Sequence, residues 1–183
     1  MLKTNAYIFV AAIFALSFVG ATPAEATGES LKAREGQVRC GGNHFLRING
    51  AEQHTTTYFL ANFDPTEPIT INELRVFDAT GAIIYDSAVS GLPASLNGLI
   101  GPLNNTLYPH QSVQITTETF LPYLAQDVRP MQLVIAWSSA RRALPLDVGA
   151  SRQARERNPT TGAVGAERMR SGVGCDSTLR DRD

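Results

Sequence analysis

Cysteine is scarce in this chain: its 183 residues contain only two, Cys40 and Cys175. Two cysteines are too few for a small protein built around several disulfides, and too few alone for a structural zinc site. Charged residues make up only 18% of the chain and the net charge is −1, which excludes a strongly basic nucleic-acid binder. The hydrophobic fraction of 43% is ordinary for a globular protein, so wholesale disorder is excluded too.

The chain also lacks the short motifs that mark common catalytic sites. G-x-S-x-G, S-x-x-K and H-E-x-x-H are absent, as are the glycine patterns that bind phosphates or dinucleotides. We therefore expect a non-catalytic protein without a cofactor. Paired carboxylates of the glycosidase type stay open as an alternative, because the fold brings such pairs together and they leave no motif.

Residues 1–26 have the three parts of a secretory signal peptide. Lys3 precedes an apolar run from Ala6 to Val19, and the small-x-small sequence from Ala24 to Ala26 suits a signal peptidase. The apolar run is shorter than the roughly 20 residues that span a bilayer, although an uncleaved anchor is the alternative. We expect an exported protein, periplasmic or secreted, with no transmembrane anchor after cleavage.

The rest of the chain predicts one domain with polar ends. Residues 27–39 are polar and without a sustained period, which predicts a flexible lead-in. Residues 40–175 are expected to form the folded domain, and residues 176–183 a polar tail.

Short segments rich in β-branched and aromatic residues alternate with turns and predict about seven strands with few helices. In the clearest strand, residues 69–78, the apolar alternation slips between Ile71 and Leu74, which predicts a bulge near Asn72 and Glu73. Residues 131–137 are almost continuously apolar and predict a central strand covered on both faces. Residues 150–157 and 163–170 predict a polar, solvated edge hairpin. The fold class that follows is an all-β antiparallel sandwich with long loops.

Two stretches resemble the strand and turn pattern of immunoglobulin-like and fibronectin III-like modules of exported bacterial proteins. They are NFDPTEPITINELRVFDATG, residues 62–81, and LYPHQSVQITTET, residues 107–119. The resemblance covers about a third of the chain and implies an immunoglobulin-like sandwich that binds or supports something. The Cys-Trp-Cys spacing of antibody domains is absent, and the resemblance assigns no functional residue.

Cys40 and Cys175 lie near the two ends of the predicted domain, and in an oxidising compartment their simplest state is a disulfide. Such a bond would fasten the polar C-terminal hairpin to the first strand. A redox or metal-binding thiol pair is the alternative, but it lacks the C-x-x-C spacing. Cys40, His44 and His54 could in principle hold copper in a periplasmic metal-binding protein, although the histidines are widely spaced and we predict no metal site.

Two apolar loops are candidates for partner binding. Residues 91–109 form a long connection among glycines, prolines and asparagines, and residues 120–124 form a second loop. Each loop either covers an open end of the sandwich and completes its core, or presents apolar side chains to a partner. The candidate binding residues in these loops are Leu99, Ile100, Leu103, Phe120 and Tyr123.

The C-terminal part of the chain is more basic than the rest. Arg155 and Arg157 would share one face of the predicted hairpin, as would Arg168 and Arg170. These arginines could bind an anionic surface polymer or an acidic envelope protein, or they could simply protect a sheet edge from aggregation. The sequence thus predicts a non-catalytic binding or structural module of the envelope or secreted fraction.

Overall fold

The structure, a computed structural model, describes residues 33–93, 105–125, 129 and 131–181. The predicted signal peptide and the first part of the lead-in lie outside the described residues. Within these ranges the protein is nearly all β, with strands β1 (Arg34–Gly42), β2 (Phe45–Arg47), β3 (Glu52–Ala61), β4 (Ile69–Phe77), β5 (Ile83–Asp86), β6 (Thr106–Leu107), β7 (Ser112–Thr116), β8 (Met131–Ser139), β9 (Asp147–Arg157), β10 (Val164–Val173) and β11 (Cys175–Asp181). A helix α1 (Ser87–Ser90) and a 3-10 turn (Thr117–Thr119) complete them. Neither helical element of the described ranges is long and apolar enough to cross a membrane.

The strands form two antiparallel sheets. Sheet A has the order β11-β1-β8-β4-β5, and β6 also pairs with β4. Sheet B has the order β10-β9-β3-β2, and β7 also pairs with β3. The predicted all-β sandwich is confirmed, with eleven strands among the described residues instead of about seven.

The core lies between the sheets and follows from strand alternation. On β8 the side chains of Leu133, Ile135 and Trp137 are buried, and Tyr58 and Leu60 of β3 belong to the same apolar cluster. Trp137 packs against the backbone of β1. A Cβ atom at Gly36 would lie 2.8 Å from the indole ring, so only glycine fits there.

The bulge predicted in β4 is present. The pairing of β4 with β8 shifts register between Ile71 and Glu73, which leaves Asn72 as the extra residue. Ile69, Ile71, Leu74 and Val76 are consequently all buried, because one inserted residue returns the later pair to the inner face.

The folded region extends beyond the predicted limits at both ends. The lead-in expected up to residue 39 is wrong from Arg34 onward, because β1 pairs with β8 on one side and β11 on the other. The tail expected after residue 175 is wrong as well, since β11 continues to Asp181. Backbone hydrogen bonds hold these strands, and the only buried hydrophobic side chains on β1 are Val38 and Cys40.

Two strand environments also differ from expectation. β8 is central, as predicted, but it is not covered on both faces: Val134 and Ala136 on its outer face are only half-buried. The C-terminal hairpin consists of β9 and β10, and β10 is an exposed edge strand as expected. β9, however, lies inside sheet B, where it pairs with β3 and buries Ser151, Gln153 and Ala154.

Candidate functional site

An open groove runs along the central strand of sheet A, on the face away from the core. It consists of two adjoining depressions of about 400 and 500 Å³, which share Gln37 and Ala136. We call it the outer groove. Its residues come from β1, β4, the turn after β4, β8 and β11. In chain order they are Glu35, Gln37, Arg39, Asn72, Glu73, Arg75, Phe77, Asp78, Ala79, Gly81, Gln132, Val134, Ala136, Thr178 and Arg180.

The groove follows from the size of the side chains in each cross-strand row. Ala136 is paired with Gln37 on one side and Glu73 on the other. Val134, the next outward residue on β8, lies between Arg39 and Arg75. Small side chains on the central strand therefore form a floor, and long polar side chains on β1 and β4 form the walls.

The two walls of the groove differ in whether their polar side chains have partners within the protein. On β4, Arg75 makes ion pairs with Glu73 and with Asp86, whose Oδ2 atom lies 3.2 Å from the arginine Nε. On β1, Gln37 and Arg39 are exposed, and neither has a side-chain partner in the ranges that the structure describes. One wall is thus held by ion pairs, and the other presents unused hydrogen-bond donors.

Local structure fixes the two ends of the groove. At one end the bulge presents Asn72, whose Oδ1 accepts a hydrogen bond of 3.1 Å from the hydroxyl of Ser138. At the other end the turn after β4 is capped by Asp78. Its carboxylate accepts hydrogen bonds from the Thr80 hydroxyl and from backbone N–H groups of Thr80 and Ala82, and these bonds hold the pKa of Asp78 below its usual value.

The outer face of sheet B is closed by a network of polar side chains. Gln53 on β3 donates to one carboxylate oxygen of Glu118, and Arg155 donates to the other at 3.4 Å. Arg155 also donates to Oε1 of Gln153 at 2.6 Å. Gln53 and Thr55 are fully buried beneath this layer, and each keeps one side-chain oxygen without a hydrogen bond. We call the hydrogen-bonded group of Gln53, Glu118, Gln153 and Arg155 the polar cover.

The predicted cysteine pair forms a disulfide. Cys40 and Cys175 are directly opposite each other on β1 and β11, with a Cα–Cα distance of 4.2 Å. The bond joins neighbouring strands of sheet A, and because β10 ends at Val173, two residues before Cys175, it also ties the end of the C-terminal hairpin to the first strand, as expected.

The structure separates the residues of the metal alternative. Cys40 is occupied by the disulfide, His44 stacks on Tyr123, and His54 stacks on Phe45 and contacts Glu52. In the described part of the chain, no three His, Cys, Asp or Glu side chains are grouped closely enough to hold a metal ion.

The candidate loop residues fall into two groups. Leu99, Ile100 and Leu103 lie outside the described residues. Phe120 packs on the core and meets Tyr85 edge-on at 4.8 Å, and Tyr123 lies 4.4 Å from His44 in a stacked arrangement with 40% of its surface exposed.

The four candidate arginines of the hairpin all have hydrogen-bond acceptors within the protein. Arg168 donates to the carboxylate of Glu156 at 2.7 and 3.0 Å and lies 3.7 Å from Glu52. Arg170 donates to Ser151, Arg157 to the carbonyl oxygen of Gly50, and Arg155 to the polar cover. Sequence reasoning singled out these arginines by charge and missed the outer groove, whose only signal was that the alternate residues Val134 and Ala136 of β8 are short.

Comparison of the chain with models of protein families, with curated proteins and with solved structures found no match.

Proposed function

We propose that the protein is a non-catalytic, exported binding module and that the outer groove is its ligand-binding surface. The observation that carries the proposal is the open, polar-walled trough along β8. Concave surfaces with a few convergent polar groups are the usual location of binding sites. Export follows from the signal-like residues 1–26 and agrees with the disulfide, which persists in oxidising compartments.

The geometry favours an extended, hydroxyl-rich ligand such as a neutral polysaccharide. β8 is paired on both sides, so its backbone groups are used within the sheet and recognition must come from side chains. Gln37 and Asn72 offer both donors and acceptors, and Arg39 offers donors, which is the set that sugar hydroxyl groups need. The groove is lined by equal numbers of acidic and basic residues, so it has no strong preference for a charged polymer; they are Glu35, Glu73, Asp78, Arg39, Arg75 and Arg180.

The test is affinity electrophoresis of the mature protein through gels that contain a soluble neutral glucan or, separately, an acidic polyuronide. We expect retardation by the neutral glucan. Ala136→Arg places a long side chain on the groove floor and should weaken binding at least about tenfold, equivalent to about 1.4 kcal/mol. Ala166→Arg, on the exposed edge strand β10, is the matched control and should bind normally.

Thermal unfolding of both variants establishes that they fold. Equal mobility of the protein in gels with and without each polysaccharide would refute the glycan assignment. Unchanged retardation of a folded Ala136→Arg variant would refute the outer groove as the binding surface. Export has its own test: the intact mass of protein from its native compartment should correspond to a chain that starts at Thr27 and carries one disulfide.

A further inference from the structure

A second and smaller cavity lies where β1 leads into β2. It has a volume of about 210 Å³ and is lined by Gly42, Asn43, Phe45, Arg129 and Arg152. It shares no residue with the outer groove. We call it the arginine pocket, because Arg129 and Arg152 both line it. It is too small for most drug-sized ligands, which need roughly 300 Å³ or more.

The two arginines are held in place by different contacts. Arg129 lies over the ring of Phe45, with its guanidinium carbon 4.2 Å from the ring centroid. Arg152 is on β9, opposite Thr56 of β3, and is half-buried. Its positive charge acts on the buried phenol of Tyr58, whose hydroxyl donates to the carbonyl oxygen of Gly41. Both cations are thus fixed beside the same small space.

Neither arginine has an anionic partner in the part of the chain that the structure describes. The Nε atom of Arg152 is buried and has no hydrogen-bond acceptor, and no carboxylate pairs with either guanidinium. Arg75, Arg155 and Arg168, by contrast, each pair with a carboxylate. A guanidinium cannot lose its charge by deprotonation, so burying it without an anion is unfavourable.

We propose that the arginine pocket binds a small oxyanion, namely a phosphate, sulfate or carboxylate group, free or at the end of a larger ligand. The planar guanidinium donates two parallel hydrogen bonds to such groups, and two guanidiniums from different segments can hold one anion between them. The volume of the pocket suits a group of a few heavy atoms, and Gly42 adds no side chain to fill it.

The experiment measures the melting temperature of the intact mature protein as sodium phosphate, sulfate or acetate replaces sodium chloride at constant ionic strength. A ligand that binds only the folded state raises the melting temperature, and above the dissociation constant the increase grows with the logarithm of the ligand concentration. We expect such an increase with at least one of the three oxyanions, and the responding anion identifies tetrahedral or carboxylate chemistry. Chloride is the reference for ionic strength, and Arg152→Gln is the reference for the nonspecific stabilisation that sulfate and phosphate give to folded proteins.

Arg152→Gln should abolish the oxyanion-dependent increase, and Arg129→Gln should raise the dissociation constant obtained from it at least about tenfold. Arg168→Gln, which removes an arginine paired with Glu156 and Glu52, is the matched control and should respond as the wild type does. Ala136→Arg should also respond normally, which separates this site from the outer groove. A wild-type protein that responds to none of the oxyanions more than to chloride would overturn the proposal, as would an undiminished response of folded Arg152→Gln.

Discussion

The outer faces of the two sheets differ in the side chains of their central strands. On sheet A, β8 presents Val134 and Ala136, which are too short to cover the sheet, and a groove remains. On sheet B, β3 presents Gln53, Thr55 and Thr57, each at most 1% exposed although no further layer of strands covers them. Burial on an outer face therefore depends on the neighbouring side chains and does not require a third layer.

The two faces also use hydrogen bonds differently. On sheet B the long side chains of Glu118 and Arg155 close over the central strand and bond to one another. On sheet A the exposed donors of Gln37 and Arg39 have no partner in the described ranges. The polar cover thus uses its hydrogen-bonding groups within the protein, whereas the outer groove leaves the donors of Gln37 and Arg39 unused in the described ranges.

The sheets should differ most in the free energy of unfolding that is lost when a bond holding an edge strand is removed. β11 is fastened to β1 by the disulfide, whereas the bonds that attach β10 to β9 are noncovalent. Replacing both Cys40 and Cys175 with serine should lower the free energy of unfolding by about 2–5 kcal/mol, because the unfolded chain regains the freedom that a long closed loop removes. Urea denaturation measures this loss.

The comparison variant for sheet B is Arg170→Ala, which removes the hydrogen bond from Arg170 to Ser151. We expect a loss of less than about 1.5 kcal/mol, the usual net value of one hydrogen bond. An equal loss in the two experiments would mean that the disulfide contributes no more than a side-chain contact.

A matched pair of glutamines tests the polar cover against the outer groove. Gln53→Ala should cost about 1–3 kcal/mol, because it truncates a fully buried side chain and removes the hydrogen bond that this side chain donates to half-buried Glu118. Gln37→Ala, on the exposed wall of the groove, should change stability by less than about 0.5 kcal/mol. Chemical denaturation of both variants checks the difference, and similar losses would show that the two faces have the same structural role.

The sequence predicted those parts of the fold that leave a local pattern. The bulge at Asn72 was readable because the alternation of apolar residues changes phase across it. β1 and β11 left no such pattern. Their stability comes from pairing with strands far along the chain, so their polar sequences resembled a lead-in and a tail.

The candidate sites were harder to predict because they depend on register. The apolar run of β8 suggested burial on both faces, yet Val134 and Ala136 form the floor of a groove once β1 and β4 flank them. The pairing of Cys40 with Cys175 was predictable from the number of cysteines and the export that the sequence predicts. The pairing of Arg168 with Glu156 was not, because a count of charges does not show which carboxylates the fold brings near.

The smallest expected effect concerns pH and comes from His44, which lies between β1 and β2. His44 is 1% exposed, its Nδ1 atom lies 3.0 Å from the Thr117 hydroxyl, and its Nε2 atom has no partner. Burial lowers the pKa of His44 below its ordinary value, with partial opposition from a hydrogen bond to the Leu121 backbone and from the charge of Glu118. The folded protein therefore takes up this proton at a lower pH than the unfolded chain does.

Because the unfolded chain binds the proton first, the neutral histidine contributes stability above about pH 6.5, and that contribution is lost as the pH falls towards the pKa of the folded state. His44→Gln should remove this part of the pH dependence, whatever its effect on stability at neutral pH. His110→Gln, which replaces an exposed histidine in a turn, is the control and should keep the wild-type profile. The midpoint of urea unfolding, measured between about pH 5 and 8, gives the change of stability with pH. If the pH dependence survived in His44→Gln and disappeared in His110→Gln, the burial of His44 would not be its source.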